Sequence, residues 1–195
     1  MSKGATTKRA ILDHAAEVAS EVGLRGLTIG SLATRTELSK SGLFAHFRSK
    51  EALQLEVLRH ARERYVDNVL RPAVAEPRGE PRVRALFKRS LAWMRGDILP
   101  GGCPFTAAST EFDDQPGTVR DFLVSDQRDL LDSITQVFRT GIAEGHFRAD
   151  ADPEQFAQDM LGIEMSYMHA HRLLHDPKAE DRAKAAFEAL LTAAR

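Results

Sequence analysis

At 195 residues and 43% hydrophobic content, the chain is long enough for one or two small domains with real cores. No run approaches the roughly 18 apolar residues of a membrane span, no signal region follows the polar start at Met1–Arg9, and a lone cysteine, Cys103, excludes an internal disulfide; a cytoplasmic protein without a membrane partner is expected. The formal charge of −1 hides an asymmetry, because residues 1–60 hold nine Lys/Arg against six Asp/Glu and residues 61–195 hold eighteen against twenty-two, so the basic N-terminal part points toward a polyanion.

Helical periodicity runs through the chain, and no convincing alternation of β-branched residues competes with it, so the fold class is all-α. Ile11, Ala15, Val18, Ala19 and Val22 line one face of a first helix, which Gly23 is placed to end. Thr28 is the expected N-cap of a short second helix with Ile29, Leu32 and Ala33 inward. Ser39 caps a third, with Leu43 and Phe47 at i, i+4. Ser49 caps a fourth, whose stripe is Leu58, Ala61, Tyr65 and Val69 and which Arg71-Pro72 should end. "AEPRGEP" (75–81) is a loop or linker. Further helices are expected over 82–98, 105–112, 118–143, 153–175 and 179–194, separated by "LPGGCP", "DDQPG", "EGHFRADADP" and Pro177.

The stretch "SKSGLFAHFRSK" (39–50) packs two apolar pairs and a glycine between two Ser-Lys pairs. Two short helices, 28–36 and 39–46, joined by so tight a turn match a helix-turn-helix, which places the start of its second helix in the DNA major groove. Ser39, Lys40 and Ser41 then stand at the exposed end, where backbone N–H groups and the helix dipole favour phosphate. Gly42 admits close backbone approach. Ser49-Lys50 offers a second clamp. His46, taken alone beside aromatics, reads as a packed, hydrogen-bonded residue.

"LTIGSLATRTELSKSGLFAHFRSKEAL" (27–53) resembles the DNA-binding signature of the TetR family of bacterial transcriptional repressors. The matching residues are Thr28, Ile29, Leu32, Ala33, Ser39-Lys40, Leu43-Phe44, His46-Phe47, Ser49-Lys50-Glu51 and Leu53, and the likeness covers roughly residues 5–60. It implies a three-helix helix-turn-helix DNA-binding domain over 1–50. It also implies a C-terminal helical domain over 51–195 that binds a small ligand and dimerises, with the 49–71 helix connecting the two. The implied base-reading residues are Lys40, Ser41, Gly42 and Ala45. The implied phosphate contacts are Thr28, Ser39, His46 and Lys50, with Arg35 at the end of the second helix. Three positions depart from the family pattern. Glu37 replaces a turn glycine, which costs roughly 1–2 kcal/mol if the backbone is left-handed, so a differently shaped turn is expected. Phe44 replaces a tyrosine and is expected to pack. Ala45 replaces a larger contact residue, leaving room for a thymine methyl.

In the C-terminal part, Trp93, Phe105, Phe112, Phe122 and Met168 are expected to line an apolar pocket with His169 as a polar contact, opened by the GGCP and DDQPG breaks. Cys103 sits where a loop opens a helix, the position of a candidate redox thiol, although a small buried hydrophobe is the plainer reading. His169, His171 and His175 invite a metal reading, in which His171 and His175 at i, i+4 share one metal with Glu164 on the same stripe, in a metal-dependent enzyme. No nucleophile-and-base motif is visible, no cofactor is expected, and the protein is read as a regulator and not an enzyme. A homodimer is expected through the last two helices, by the faces Phe156, Met160, Ile163, Tyr167 and Ala183, Ala186, Phe187, Leu190, Leu191. The expected partners are a double-stranded DNA operator, a small-molecule effector and a second copy. The rival readings are control by Cys103 oxidation, an activator, the metal enzyme, and a helical module that only dimerises.

Overall fold

A computed structural model describes residues 3–36 and 39–195, with backbone alone for residues 3–7, 35, 36 and 44. Every regular element among them is helical: α1 Lys3–Gly26, α2 Ile29–Thr36, α3 Lys40–His46, α4 Lys50–Tyr65, a π-helical turn Val66–Leu70, α5 Arg71–Val74, α6 Glu80–Arg95, α7 Pro104–Phe112, α8 Thr118–Ala143, α9 Pro153–Met168, a second π-helical turn His169–Leu173, and α10 Ala179–Ala194. The expectations for the Glu37 turn and for the packing of Phe44 lie outside the described residues.

The caps read from the sequence at Thr28, Ser39 and Ser49 are formed, and Asp152 adds a fourth. Thr28 and Ser31 satisfy each other's backbone N–H groups through their hydroxyls, both at 3.0 Å. This is a capping box with serine in the place of the usual Glu or Gln. Ser39 Oγ accepts the Gly42 N–H at 3.1 Å, Ser49 Oγ accepts the Ala52 N–H at 3.0 Å, and Asp152 accepts the N–H groups of Glu154 and Gln155. Each supplies an acceptor to donors that a helix start leaves unpaired.

Two boundary expectations need correction. Val22 is not on the buried stripe: it is 52% exposed, while Ile11, Ala15, Val18 and Ala19 are buried. The backbone leaves the helical path at Gly23 (φ 77, ψ 167), and Val22 lies against Gly26 instead. Arg71-Pro72 does not end the fourth helix. The Arg71 N–H reaches back five residues to the Val66 carbonyl, and the helix continues to Val74 with Pro72 in its first turn. A π turn widens the helix ahead of the ring, which relieves the clash that makes proline a breaker.

The chain packs as two compact units, Met1–Arg64 with Leu99–Ser125, and Tyr65–Ile98 with Asp126–Arg195. This differs from the division at residue 50 expected from sequence, and the reason lies in α7. The Gly101 N–H donates to Ser20 Oγ at 2.9 Å, and a Cβ on Gly101 would strike the α1 backbone at Ser20 and Glu21. The Glu111 carboxylate occupies the space a side chain at Gly23 would need and accepts the Arg25 N–H at 2.9 Å. Thr118, at the start of α8, donates to Glu51 at 2.6 Å. The GGCP segment therefore seats α7 tightly on α1; it does not loosen the packing there, as the sequence reading had it.

The first unit's core draws on Ile11, Ala15, Leu32, Leu43, Phe47, Leu53 and Val57, all buried. In the second unit Phe138 stacks between Phe147 and Phe156, at centroid distances of 4.5 and 4.0 Å, and Phe87 stacks on Phe187 at 3.9 Å. Arg84 bridges Glu80 and Glu188 across α6 and α10. Such half-exposed pairs contribute about 0–1 kcal/mol each, so the aromatic core carries the stability.

Candidate nucleic-acid interface

Helix α3 divides by depth. Leu43 and Phe47 are buried, at 0% and 1% exposure, and hold it onto the unit. Lys40, Ser41 and Ala45 are exposed, while Gly42 and His46 are half-exposed. Residues 40, 41, 42 and 45 form the face that the buried pair leaves outside, so the four expected base-reading positions come together on one accessible surface. Thr28 and Ser39 stand beside it at the starts of α2 and α3, both exposed. The stem of Lys40 passes the start of α2, close enough that a Cβ on Gly30 would lie 3.8 Å from its Cε. Ser39 and Ser41 hydroxyls are 3.1 Å apart. The Arg35 side chain lies outside the described residues.

Lys50 has a second job. Its ammonium donates to the Arg25 carbonyl at 2.7 Å, tying the start of α4 to the end of α1. The same peptide segment is held from the other side, where Glu111 accepts the Arg25 N–H. His46 lies near Phe47, with ring centroids 6.2 Å apart and tilted.

The expected pocket residues are not gathered in one unit. Phe105, Phe112 and Phe122 belong to the first, where Phe105 is buried under the Arg62 guanidinium at 5.7 Å. Trp93, Met168 and His169 belong to the second, and His169 is exposed. Cys103 stands at the N-cap of α7, as expected, with its thiol buried. Burial screens it from oxidants, which favours the small-hydrophobe reading.

The metal trio does not assemble. Glu164 is buried and hydrogen-bonded to Ser90, His171 stacks on the Tyr167 ring at 5.3 Å, and His175 is exposed with a φ of 50°. Among the described residues no group of three or more His, Cys, Asp or Glu is placed to hold a metal ion. Burial drives the Glu164 carboxyl up to about 8, against a hydrogen bond from Ser90 that pulls the other way. The sequence reading missed this role. The signal was present, because Glu164 falls on the same apolar face as Phe156, Met160, Ile163 and Tyr167.

The expected dimer faces are also corrected. Phe156, Met160, Tyr167, Ala183, Phe187 and Leu191 are buried within the chain itself. The surface that α9 and α10 leave accessible is a groove of about 650 Å³ lined by Gly162, Ile163, Ser166, Ala170 and Ala186, among others.

Residues 79–187, more than half of the chain, match the family model described as tetracyclin repressor-like, C-terminal domain. Residues 11–57 match the model for bacterial regulatory proteins of the tetR family. No curated protein matches the chain. Among solved structures, a TetR transcriptional regulator from Chloroflexus aurantiacus J-10-FL is similar at 24% identity, with 98% of this chain and 96% of that one covered and a TM-score of 0.86. The regulator CifR, solved as a cysteine mutant with 26-bp double-strand operator DNA, is 26% identical over 95% of each chain, with a TM-score of 0.75. AibR, solved with isovaleryl coenzyme A and operator DNA, is 20% identical over 91% of this chain and 94% of its own, with a TM-score of 0.73. With family models matched at both ends, and helices α2 and α3 formed where the N-terminal model lies, the chain belongs to the TetR family of bacterial regulatory proteins.

Proposed function

We propose that the protein is a homodimeric repressor that reads a double-stranded operator through α3 and leaves it when a small molecule binds the C-terminal part. The observation that carries the DNA reading is the split face of α3: Leu43 and Phe47 are anchored inside while Lys40, Ser41 and Ala45 face outward. In this reading Lys40, Ser41, Gly42 and Ala45 meet base edges, and Thr28, Ser39 and His46 meet phosphates. Lys50 holds the end of α1 and adds positive charge beside the duplex. CifR and AibR are solved with operator DNA, which supports this assignment.

The second copy is proposed to dock on the accessible groove of α9 and α10, where Gly162, Ser166 and Ala186 permit close approach. Dimerisation sets the spacing of two recognition helices. A ligand that favours another spacing draws the population away from DNA. The chain passes between its two units within the continuous helical run 50–74, at Ile98–Leu99 and within α8. Selection of genomic fragments bound by the purified protein tests the reading. Recovery of a recurrent palindromic site supports it, and recovery of fragments with no shared sequence contradicts it.

A further inference from the structure

In the second unit, α6 packs against α9, and the two helices face each other with polar groups inside an apolar core. Ser90 and Trp93 lie three residues apart on α6. Glu164 and Tyr167 lie three residues apart on α9. At that spacing each pair shares a helix face. Ser90 hydrogen-bonds to Glu164 and meets the Tyr65 hydroxyl at 3.1 Å. Tyr65 sets its ring edge-on to Trp93 at 5.3 Å. These contacts join Tyr65, Ser90, Trp93 and Glu164 into one cluster, and Tyr167 lies one turn further along α9. Among these residues, three fully buried atoms have no hydrogen-bond partner: Trp93 Nε1, Glu164 Oε1 and Tyr167 Oη.

Buried polar atoms are ordinarily satisfied, and three on two facing helices mark a place built for something else. All three can donate. The indole N–H can only donate, and the phenol donates readily. Burial holds the Glu164 carboxyl at about 8, so near neutral pH it is protonated and donates too. No charged side chain contributes to that shift. The nearby titratable groups are the phenols of Tyr65 and Tyr167, while the charges of Arg95, Asp97 and Glu180 act on Tyr167. Leu86, Met94 and Met160 are buried on the same two helices, and the unbranched methionines repack readily to make room.

Three groups that can all donate, one of them able to do nothing else, are served together by a ligand that brings an acceptor. A buried cation would leave the indole N–H pointing at like charge. A buried anion would meet two carboxylates, Asp97 and Glu180, against the single guanidinium of Arg95. We propose that Trp93, Glu164 and Tyr167 form the polar end of an effector site for a neutral, mainly apolar molecule held through a carbonyl oxygen, as in a ketone, ester or lactone. The proposal rests on the ligand-responsive reading above and names the class of ligand for it.

Trp93 is the sole tryptophan, so the fluorescence of the full-length protein reports on the site itself. The probes are methyl octyl ketone, decylamine and decanoate, three C10 molecules differing in the head group, titrated at about pH 6, where Glu164 is protonated. The ketone should bind and red-shift the emission, and the other two should bind at least about tenfold more weakly. Tyr167→Phe and Glu164→Met should each weaken the ketone by about tenfold. Glu164→Gln keeps a neutral donor and should retain binding. Ketone affinity should fall above about pH 8 in the wild type but not in Glu164→Gln. Absence of ketone binding to the wild type overturns the proposal, since the donors are then served by trapped water. So does tight decylamine binding that strengthens with pH. If Glu164→Met fails to fold by circular dichroism, Tyr167→Phe carries the test. Operator release is measured separately. Ketone binding without release supports the site and contradicts the regulatory reading, whereas release by decylamine alone overturns the site and leaves regulation standing.

Discussion

Replacing Glu164 by glutamine should change how stability depends on pH. The carboxyl titrates near 4.5 when free and at about 8 in the folded chain, because burial penalises its charge. The folded state thus holds a proton that the unfolded state has already released between those two values. Stability is full below about pH 4.5 and declines as pH rises toward 8, by about 1.4 kcal/mol per pH unit. The loss sums to roughly 5 kcal/mol across the window, a large share of the 5–15 kcal/mol typical of a whole domain. At about 2–4 °C per kcal/mol for a chain of this size, the roughly 3.5 kcal/mol lost between pH 5 and pH 8 should lower the midpoint of thermal unfolding by roughly 7–14 °C. Glu164→Gln has nearly the same volume and no charge, so its own decline should lack this component. Glu56, Glu80, Asp97, Glu180 and Glu188 are held below their usual values, chiefly by hydrogen bonds from basic partners. Their contributions are lost only as pH falls through the acid range, outside this window, and they cancel between wild type and variant. The assay is urea or thermal unfolding of both proteins at several pH values. Parallel curves for the two would refute the reasoning, because the carboxyl would then be ionised or solvated in the folded state.

Gly101→Val should cost about 3 kcal/mol, seen as a lower urea midpoint, because its side chain has no space against the α1 backbone at Ser20. Ser39→Ala should cost about 1 kcal/mol by removing the acceptor for the Gly42 N–H, and it should weaken operator binding as well. Lys50→Ala should lower both stability and DNA affinity, since the ammonium also holds the Arg25 carbonyl; loss of affinity alone would make the contact to α1 idle. Ile163→Asp, on the accessible groove of α9 and α10, should give a monomer by light scattering and lose operator binding with it.

How legible this molecule is in its sequence depends on how local each feature is. Ser39, Leu43 and Phe47 were readable because a cap and an i, i+4 pair are decided within one turn of helix. The same holds for Thr28 and Ser49. Pro72 was misread because a π turn at Val66–Leu70 absorbs it, and nothing in the neighbouring residues announces that turn. The stripe through Phe156, Met160 and Tyr167 was correctly seen as apolar and wrongly assigned to a partner chain. Periodicity identifies a face that must be covered, and it does not say whether the cover comes from the same chain. Gly101 looked like a loosening element because glycine in a loop is read first as freedom. Its use here is close approach to Ser20, 81 residues away in sequence, which only the packing reveals. Glu164 was noticed for the wrong reason. Its place on an apolar face pointed inward, and the structure buries it against Ser90 of α6.

Once an operator has been selected, its affinity for wild type and Lys40→Ala should be measured across a series of salt concentrations. Lys40 is exposed beside the N-cap of α3. If α3 enters the groove, binding falls steeply with salt through counterion release, and removing this one ammonium makes the logarithmic slope shallower by about one, with folding unchanged. Equal slopes and equal affinities for the two proteins would contradict the placement of α3 on DNA.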